Sequence, residues 1–565
     1  MKIRVRPKSR PINRLTLAAI GCGAVAFVSW PEDGDPLQGL FAAVYAAASG
    51  VLALSVGYEL VQDFRRRRDV AIAAIVTDDH GTAREATSEE IAERGMFDPM
   101  SGALIGIDKD GQPVFAPRNM PFCLCESPPG GGKTASLVIG EILHKAHCGY
   151  SLVIPDAKLD LAPRLAKPLR ERGFEVWAVN PTGKFLDLCG DTPINPYQAL
   201  IDAVHGQGEQ RKNAVKLASD YADLHYPENG KELNPYFRRG SKRIIVVVVL
   251  LLAITDPGRC TPTHVYAVLA DPAALTKTLK KIASLETEIR NDPLVRFLKK
   301  EAKTLLHREK EIAENFASFL EGATQRLMDF NEAGHLSEYG KSTPHRVSEL
   351  RERQIIMFIM APLSHGRALA DYLSFLNHNV IAACKEKPEG RPVHIVGEEA
   401  LNYEFKDIVS TMETLRELGM SASFYIQSYA GLVKRYGREA AQAIESYCGV
   451  RIYAGLNAID RAKYVSEQLS EYTIRKQDYS LKADVQDVGI SSRELGRRLM
   501  MPDEILSMPR NEAWVFVSGM RPMRLRLVHY GQVAPWRDWV GASPITGELL
   551  YEDPIFSITY PEKPR

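Results

Sequence analysis

Residues 127–134 read SPPGGGKT, a run whose types suit a phosphate group. Small residues let backbone N–H groups converge on an anion, a lysine reaches the β and γ phosphates, and a hydroxyl serves a magnesium ion. Gly130, Gly131 and Gly132 supply the backbone freedom, Lys133 the ammonium and Thr134 the hydroxyl. The helix expected to begin at Thr134 adds its N-terminal partial positive charge. Ser127 stands where such loops open with glycine, and its small side chain clears the turn if its backbone angles are ordinary. A glycine-rich turn with an exposed lysine is the competing reading. Placement between the apolar run FCLCES and a helical run speaks against it.

Such a site needs acid at the end of another buried strand, one carboxylate to hold magnesium and one to activate water. The stretch VHIVGEEALN offers Glu398 and Glu399 after four residues of apolar character, His394 being the exception. A solvated loop is the plain alternative. Gln427 ends the apolar stretch SFYIQ, a place from which an amide senses γ-phosphate. Arg416, on the helix before that stretch, suits an arginine supplied to a neighbouring subunit's phosphate. A hydrogen-bonding strand end and a solvated arginine are the ordinary readings of these two. Arg238, Arg239, Lys242 and Arg243 form the densest basic cluster outside the N-terminal region, either a grip on nucleic-acid phosphates or a solvated helix end.

The elements that must position these groups alternate. FCLCES, the glycine loop and a helix are followed by YSLVIPDAK, a second helix and FEVWAVNP. Strand–helix–strand alternation with short connections predicts a parallel sheet covered by helices on both faces, an α/β fold. From about 200 to 345 the pattern turns helical, and the apolar run 244–254 is too short for a membrane, so it reads as a buried helix or, second, a strand. Strands return at 354–362, 393–399, 422–428, 449–456 and 512–519. The expected organisation is an anchor (1–64), a nucleotide-binding domain in two parts (65–200 and 346–530), an all-α insertion (201–345) and an extended Pro-rich tail (531–565).

Net charge is +1, so no global basic field announces nucleic acid, and eight scattered cysteines form no disulfide framework. The N-terminus is different. Uncharged runs at 15–30 and 37–58 are separated by the acidic turn PEDGDP and flanked by MKIRVRPKSRPINR and Arg65 to Arg68. Basic outer flanks orient a two-helix hairpin, spans about 12–30 and 37–58, with both ends cytoplasmic. A signal peptide would place a nucleotide site outside the cell.

Taken in order, the hairpin, PPGGGKT, VIPDAKLDL, INPYQAL, NPYFRRGSKRII, IMAP, VGEEALN, IQSYAGLVKRYG and the segment RRLMMPDEILSMPRNEAWVFVSGMRPMRLRLVHY resemble the type IV secretion system coupling proteins, the VirD4/TraG/TraD family of conjugation ATPases. The resemblance covers roughly 15–530. It implies an inner-membrane, two-pass, hexameric ATPase with a RecA-like P-loop domain, an inserted all-α domain and ATP with Mg2+ as cofactors. Implied partners are secretion inner-membrane components and a relaxase with single-stranded DNA, or protein effectors. Carried over by position, Lys133 and Thr134 bind phosphate and magnesium, Gln427 is the sensor and Arg416 the arginine acting in trans. The family's Asp-Glu pair falls on Gly397 and Glu398 in one register, and on Glu398 and Glu399 in the other. Either register lacks the aspartate, and Asp156 in VIPDAKLDL is another acid beside the loop. A docking receptor with little ATP turnover is therefore the second reading. A chromosome-partitioning translocase of the FtsK/HerA type fits the C-terminal segment and the helical insertion poorly.

Overall fold

The computed structural model describes residues 20–21, 24–25, 35–73, 81–225, 235–284, 292–337, 339, 343–398, 408–481 and 488–560. The chain forms two compact units, Met1–Ala83 with Leu469–Leu499, and Arg84–Gln468 with Met500–Arg565.

In the first unit the helix Pro36–Ala73 carries an exposed apolar stretch, Pro36–Tyr58, of 23 residues. At about 1.5 Å per residue that stretch exceeds the roughly 30 Å of a bilayer's hydrocarbon core. The companion span expected at 12–30 lies outside the described residues, apart from helical residues at 20–21 and 24–25. The same unit holds an antiparallel hairpin, Glu471–Leu481 against Val488–Arg498, in continuous register from Glu471↔Arg498 to Leu481↔Val488. Thr82 bridges to Tyr472 at its base.

The second unit is built on an eleven-stranded sheet. Its strands are β1 (Leu104–Ile107), β2 (Pro113–Phe115), β3 (Phe122–Glu126), β4 (Ser151–Asp156), β5 (Glu175–Val179), β6 (Ile355–Met360), β7 (Val393–Glu398), β8 (Met420–Ile426) and β9 (Val450–Ala454), then Glu512–Val517 and Met523–Arg526. From β9 the order runs β3, β8, β7, β4, β6, β5, all parallel. On the other side of β9 the sheet departs from the expected parallel arrangement. Glu512–Val517 runs antiparallel to β9, and Met523–Arg526, β1 and β2 continue antiparallel. A short turn joins Glu512–Val517 to Met523–Arg526, and only antiparallel neighbours accept so short a link.

Alternation along the strands divides the core. Val153, Trp177, Ile355, Met357, Ile359 and Phe424 belong to the cluster on one face. Leu152, Ile154, Val176, Ile356, Phe358 and Tyr425 belong to the other. Because both faces are covered, the strands read as unbroken apolar runs. Between β5 and β6 the described residues hold helices and no strand. The apolar run at 244–254 is helical, within Pro235–Thr255, and its buried side chains share one cluster with the sheet face. Two members of the basic cluster on this helix have acid partners within the chain: Lys242 pairs with Asp223, and Arg243 forks onto Glu301.

The C-terminal segment is not a free tail. Val533, Trp536, Val540 and Ile558 are buried in the second cluster. The indole of Trp536 lies against Gly140 on the helix Ile139–His147, where an added Cβ would come within 2.7 Å of the ring. On the same helix, the Tyr560 hydroxyl is 2.8 Å from His144 Nδ1, and His147 stacks on Trp539 at 4.3 Å. Sequence reading saw prolines and acids here and passed over the aromatic residues between them.

Burial pushes the His144 ring down to about 4 from 6.5. Its neutral form therefore supports folding fully above pH 6.5, and that support is lost as pH falls toward 4. The melting temperature of the wild type should fall through this window more steeply than that of His144→Gln. Parallel melting curves would remove His144 as the source.

Candidate functional site

The glycine loop adopts the geometry its composition demands. Gly130 and Gly132 both have φ of +74°, left-handed positions that favour glycine. Ser127 is not among the positive-φ residues. It is fully buried, with its N–H donating to the carbonyl of Ile426 at 3.0 Å. A Cβ on Gly131 would meet the Ser127 hydroxyl at 2.2 Å, so serine at the loop's opening is accommodated by glycine at 131. Lys133 is only 5% exposed and its ammonium donates to the Ser127 carbonyl at 3.3 Å. The helix after it starts with a π turn, Thr134–Val138, before the α-helical Ile139–His147.

One strand, β8, separates the loop's strand β3 from β7. Two strand spacings put the ends of β3 and β7 about 10 Å apart. The Thr134 hydroxyl closes that distance by donating to Glu398 Oε1. Glu398 is the last residue of β7 and is 4% exposed. Lys158 Nζ, half-exposed, lies 3.6 Å from the same carboxylate oxygen. Ammonium, hydroxyl and carboxylate thus gather at the carboxyl ends of parallel strands, where open α/β sheets bind ligands. Hydroxyl and carboxylate oxygen form a donor set that suits a hard cation such as magnesium.

Asp156, which ends β4, does not join the Thr134–Glu398 contact. Its two oxygens accept from the N–H groups of Asp160 at 3.1 Å and Ala162 at 2.8 Å. Burial, with Glu398 and Asp160 nearby, still pushes its carboxyl up to about 7. Its place is that of a staple for its own loop.

Gln427 follows β8 directly and is half-buried, one strand from β3 and one from β7. Arg416 opens the turn Arg416–Leu418 before β8; its side chain lies outside the described residues. Glu399 also lies outside them. Among the described residues no group of three or more His, Cys, Asp or Glu gathers as a metal cluster.

Two buried networks that sequence reading missed brace the loop. Glu126, which closes β3, accepts from Arg461 Nε at 2.7 Å and from the Tyr429 N–H at 2.9 Å. The other arm of Arg461 reaches Glu445 at 2.8 Å, where the Tyr453 hydroxyl also donates at 2.7 Å. Burial works against the Arg461 charge, but Glu126 and Glu445 outweigh it and hold the guanidinium above its usual range. On the helix Ile139–His147, Glu141 accepts from Ser423 at 2.6 Å and Tyr425 at 2.9 Å, with His394 Nε2 at 3.1 Å. Burial opposes charge on Glu141, yet His394 and Ser423 bring its carboxyl below the usual value. The signal was present: a glutamate ending FCLCE and a histidine in VHIV are charged or polar groups inside apolar strands.

Residues 76–535 match the family described as "Type IV secretory system Conjugative DNA transfer". The chain is 23% identical over 402 residues to the conjugal transfer protein TraG of Agrobacterium fabrum, covering 70% of this chain and 58% of that protein. It is 22% identical over 476 residues to the protein VirD4 of Rhizobium radiobacter, covering 80% of this chain and 64% of that one. The chain thus spans about three-fifths of the length of these relatives. Its fold is similar to that of the bacterial conjugative coupling protein TrwBdeltaN70, with TM-score 0.54 and 14% identity over 80% of this chain and 94% of that chain. TrwB in complex with ADP and Mg2+ gives a TM-score of 0.53 at 15% identity, over 81% of this chain and 96% of TrwB. The phosphate loop, the strand-end acid and the sheet between them lie within the matched residues, and the chain belongs to the type IV secretory system conjugative DNA transfer family.

Proposed function

We propose that this protein is an inner-membrane coupling ATPase that receives a relaxase-bound single strand of DNA, or protein substrates, and delivers them to a type IV secretion channel. The observation that carries the reading is the contact of Thr134 with Glu398, made from two strand ends far apart in sequence. ATP and magnesium fit this place. Glycine N–H groups and Lys133 would hold the phosphates, and Thr134 with Glu398 would hold the cation. The buried Ser127 hydroxyl, without a hydrogen-bond partner among the described residues, is a further group suited to an anion. When bound, magnesium neutralises charge on the phosphates.

Because Glu398 meets the Thr134 hydroxyl, the reading takes the register in which Glu398 and Glu399 share the acid pair. Glu398 then orients the cation side, and Glu399 activates water. Gln427 is the γ-phosphate sensor, and Arg416 serves the neighbouring subunit of a hexamer. The helical run 201–345 is an inserted domain, and the apolar N-terminal segments are a two-pass anchor with the bulk of the chain cytoplasmic.

Glu398→Gln should raise the magnesium needed for half-maximal nucleotide binding by at least about 10-fold, since losing even an outer partner of a metal site costs about 10–100-fold. Titration of magnesium at fixed ATP checks this, and an unchanged midpoint counts against the assignment. The function itself is tested by ATP turnover of the full chain in detergent, with and without single-stranded DNA. Turnover stimulated by DNA supports the motor. Tight magnesium-dependent ATP binding with no turnover in either condition supports the docking receptor, which the absence of an aspartate from the acid pair favours.

A further inference from the structure

We propose that Lys158 is a second lysine of the nucleotide site, one that contacts the terminal phosphate and so distinguishes a nucleoside triphosphate from a diphosphate. The inference rests on the nucleotide-binding reading above.

The loop after β4 is built to hold this side chain in place. Asp156 fastens the loop through the N–H groups of Asp160 and Ala162. Leu159 is held at φ +56°, a left-handed angle that costs a branched residue free energy and persists only where its surroundings impose it. Ala157 and Leu159 are 6% and 4% exposed, so the residues on either side of Lys158 are buried while Lys158 itself is not. From the far side, the Ser543 hydroxyl donates to Asp160 at 2.6 Å, and Arg164 reaches the same residue at 3.1 Å. The loop is constrained from both directions.

Its position relative to the acid is equally defined. β4 pairs with β7 in the register Ser151↔Val393 to Val153↔Ile395, and the same register carried to the strand ends sets Asp156 level with Glu398. Lys158 therefore stands beside Glu398 on the side away from the phosphate loop, which lies beyond β8. Thr134 and Glu398 would hold the cation of a bound nucleoside triphosphate, and Lys158, on the far side of Glu398 from the phosphate loop, would offer its ammonium to the terminal phosphate. Lysine suits the task because a compact charge on a flexible stem can leave one anionic partner for another. The ammonium now on Glu398 has such an alternative when a triphosphate is present.

Calorimetric titration of the full chain in detergent with ADP and with a non-hydrolysable ATP analogue, both with magnesium, tests this. Lys158→Ala should weaken binding of the analogue by about 10–100-fold, the scale of one charge-assisted hydrogen bond, and leave ADP within about twofold. Lys158→Arg, which keeps the charge, should recover most of the loss. Equal affinities in wild type and Lys158→Ala, or equal weakening for both nucleotides, overturn the proposal. If the wild type binds neither nucleotide, it is the nucleotide reading that fails.

Discussion

Lys133→Ala is expected to lower ATP turnover by about 10²–10³-fold, the scale on which one charged donor to a reacting group contributes in a water-poor site. The side chain is nearly buried, and its ammonium already faces inward onto the Ser127 carbonyl that opens the loop. A phosphate in the loop competes for that ammonium and repays its desolvation more fully than a neutral carbonyl does. Loss of the lysine therefore removes charge at the anion without disturbing the glycine angles or the Thr134–Glu398 contact. Lys133→Arg should rescue little, since the planar guanidinium is bulkier than the ammonium the closed loop accommodates. Turnover and nucleotide affinity measured together check the expectation. Wild-type turnover in Lys133→Ala would place ATP hydrolysis elsewhere in the preparation.

Arg461→Met is expected to destabilise the second unit by about 3–5 kcal/mol, the cost of breaking a buried ion pair from one side. Arg461 lies between Glu126 and Glu445, with its guanidinium 4.3 Å from the ring centroid of Tyr429 and 4.4 Å from that of Tyr464. Methionine fills part of the volume but leaves two carboxylates buried without their cation. Glu126 also accepts from the Tyr429 N–H, so the backbone just after Gln427 should loosen as well. Denaturant unfolding checks the magnitude. Adding Glu126→Gln to Arg461→Met should recover part of the loss, and an additive double variant would show that the two side chains are not coupled.

The phosphate loop and β3–β9 were legible because their signals are local. A glycine run before a lysine and a hydroxyl has few other uses, and strands buried on both faces print as apolar runs. The hairpin of Glu471–Leu481 and Val488–Arg498 was not legible. Its sequence, such as TIRKQDYS, sets charged residues side by side and offers no alternation to read. The antiparallel direction of the sheet's other four strands was hidden for another reason: strand direction is set by connection length, and composition does not carry it. In the site, Glu398 was legible from the strand before it, whereas the roles of Glu126, Arg461 and Lys158 depend on partners hundreds of residues away in sequence or across a strand order that no local pattern contains.

The family match stops at residue 535, one residue before Trp536. The segment beyond it reaches elements on both sides of the Thr134–Glu398 contact. Trp536 and Tyr560 sit behind the phosphate-loop helix, and Ser543 fastens the loop that carries Lys158. Residues 536–560 thus act as a tie-rod between two flanks that the sheet alone joins only through intervening strands. A domain boundary drawn from the family alone would cut through this brace and leave the Thr134–Glu398 contact without its outer tie.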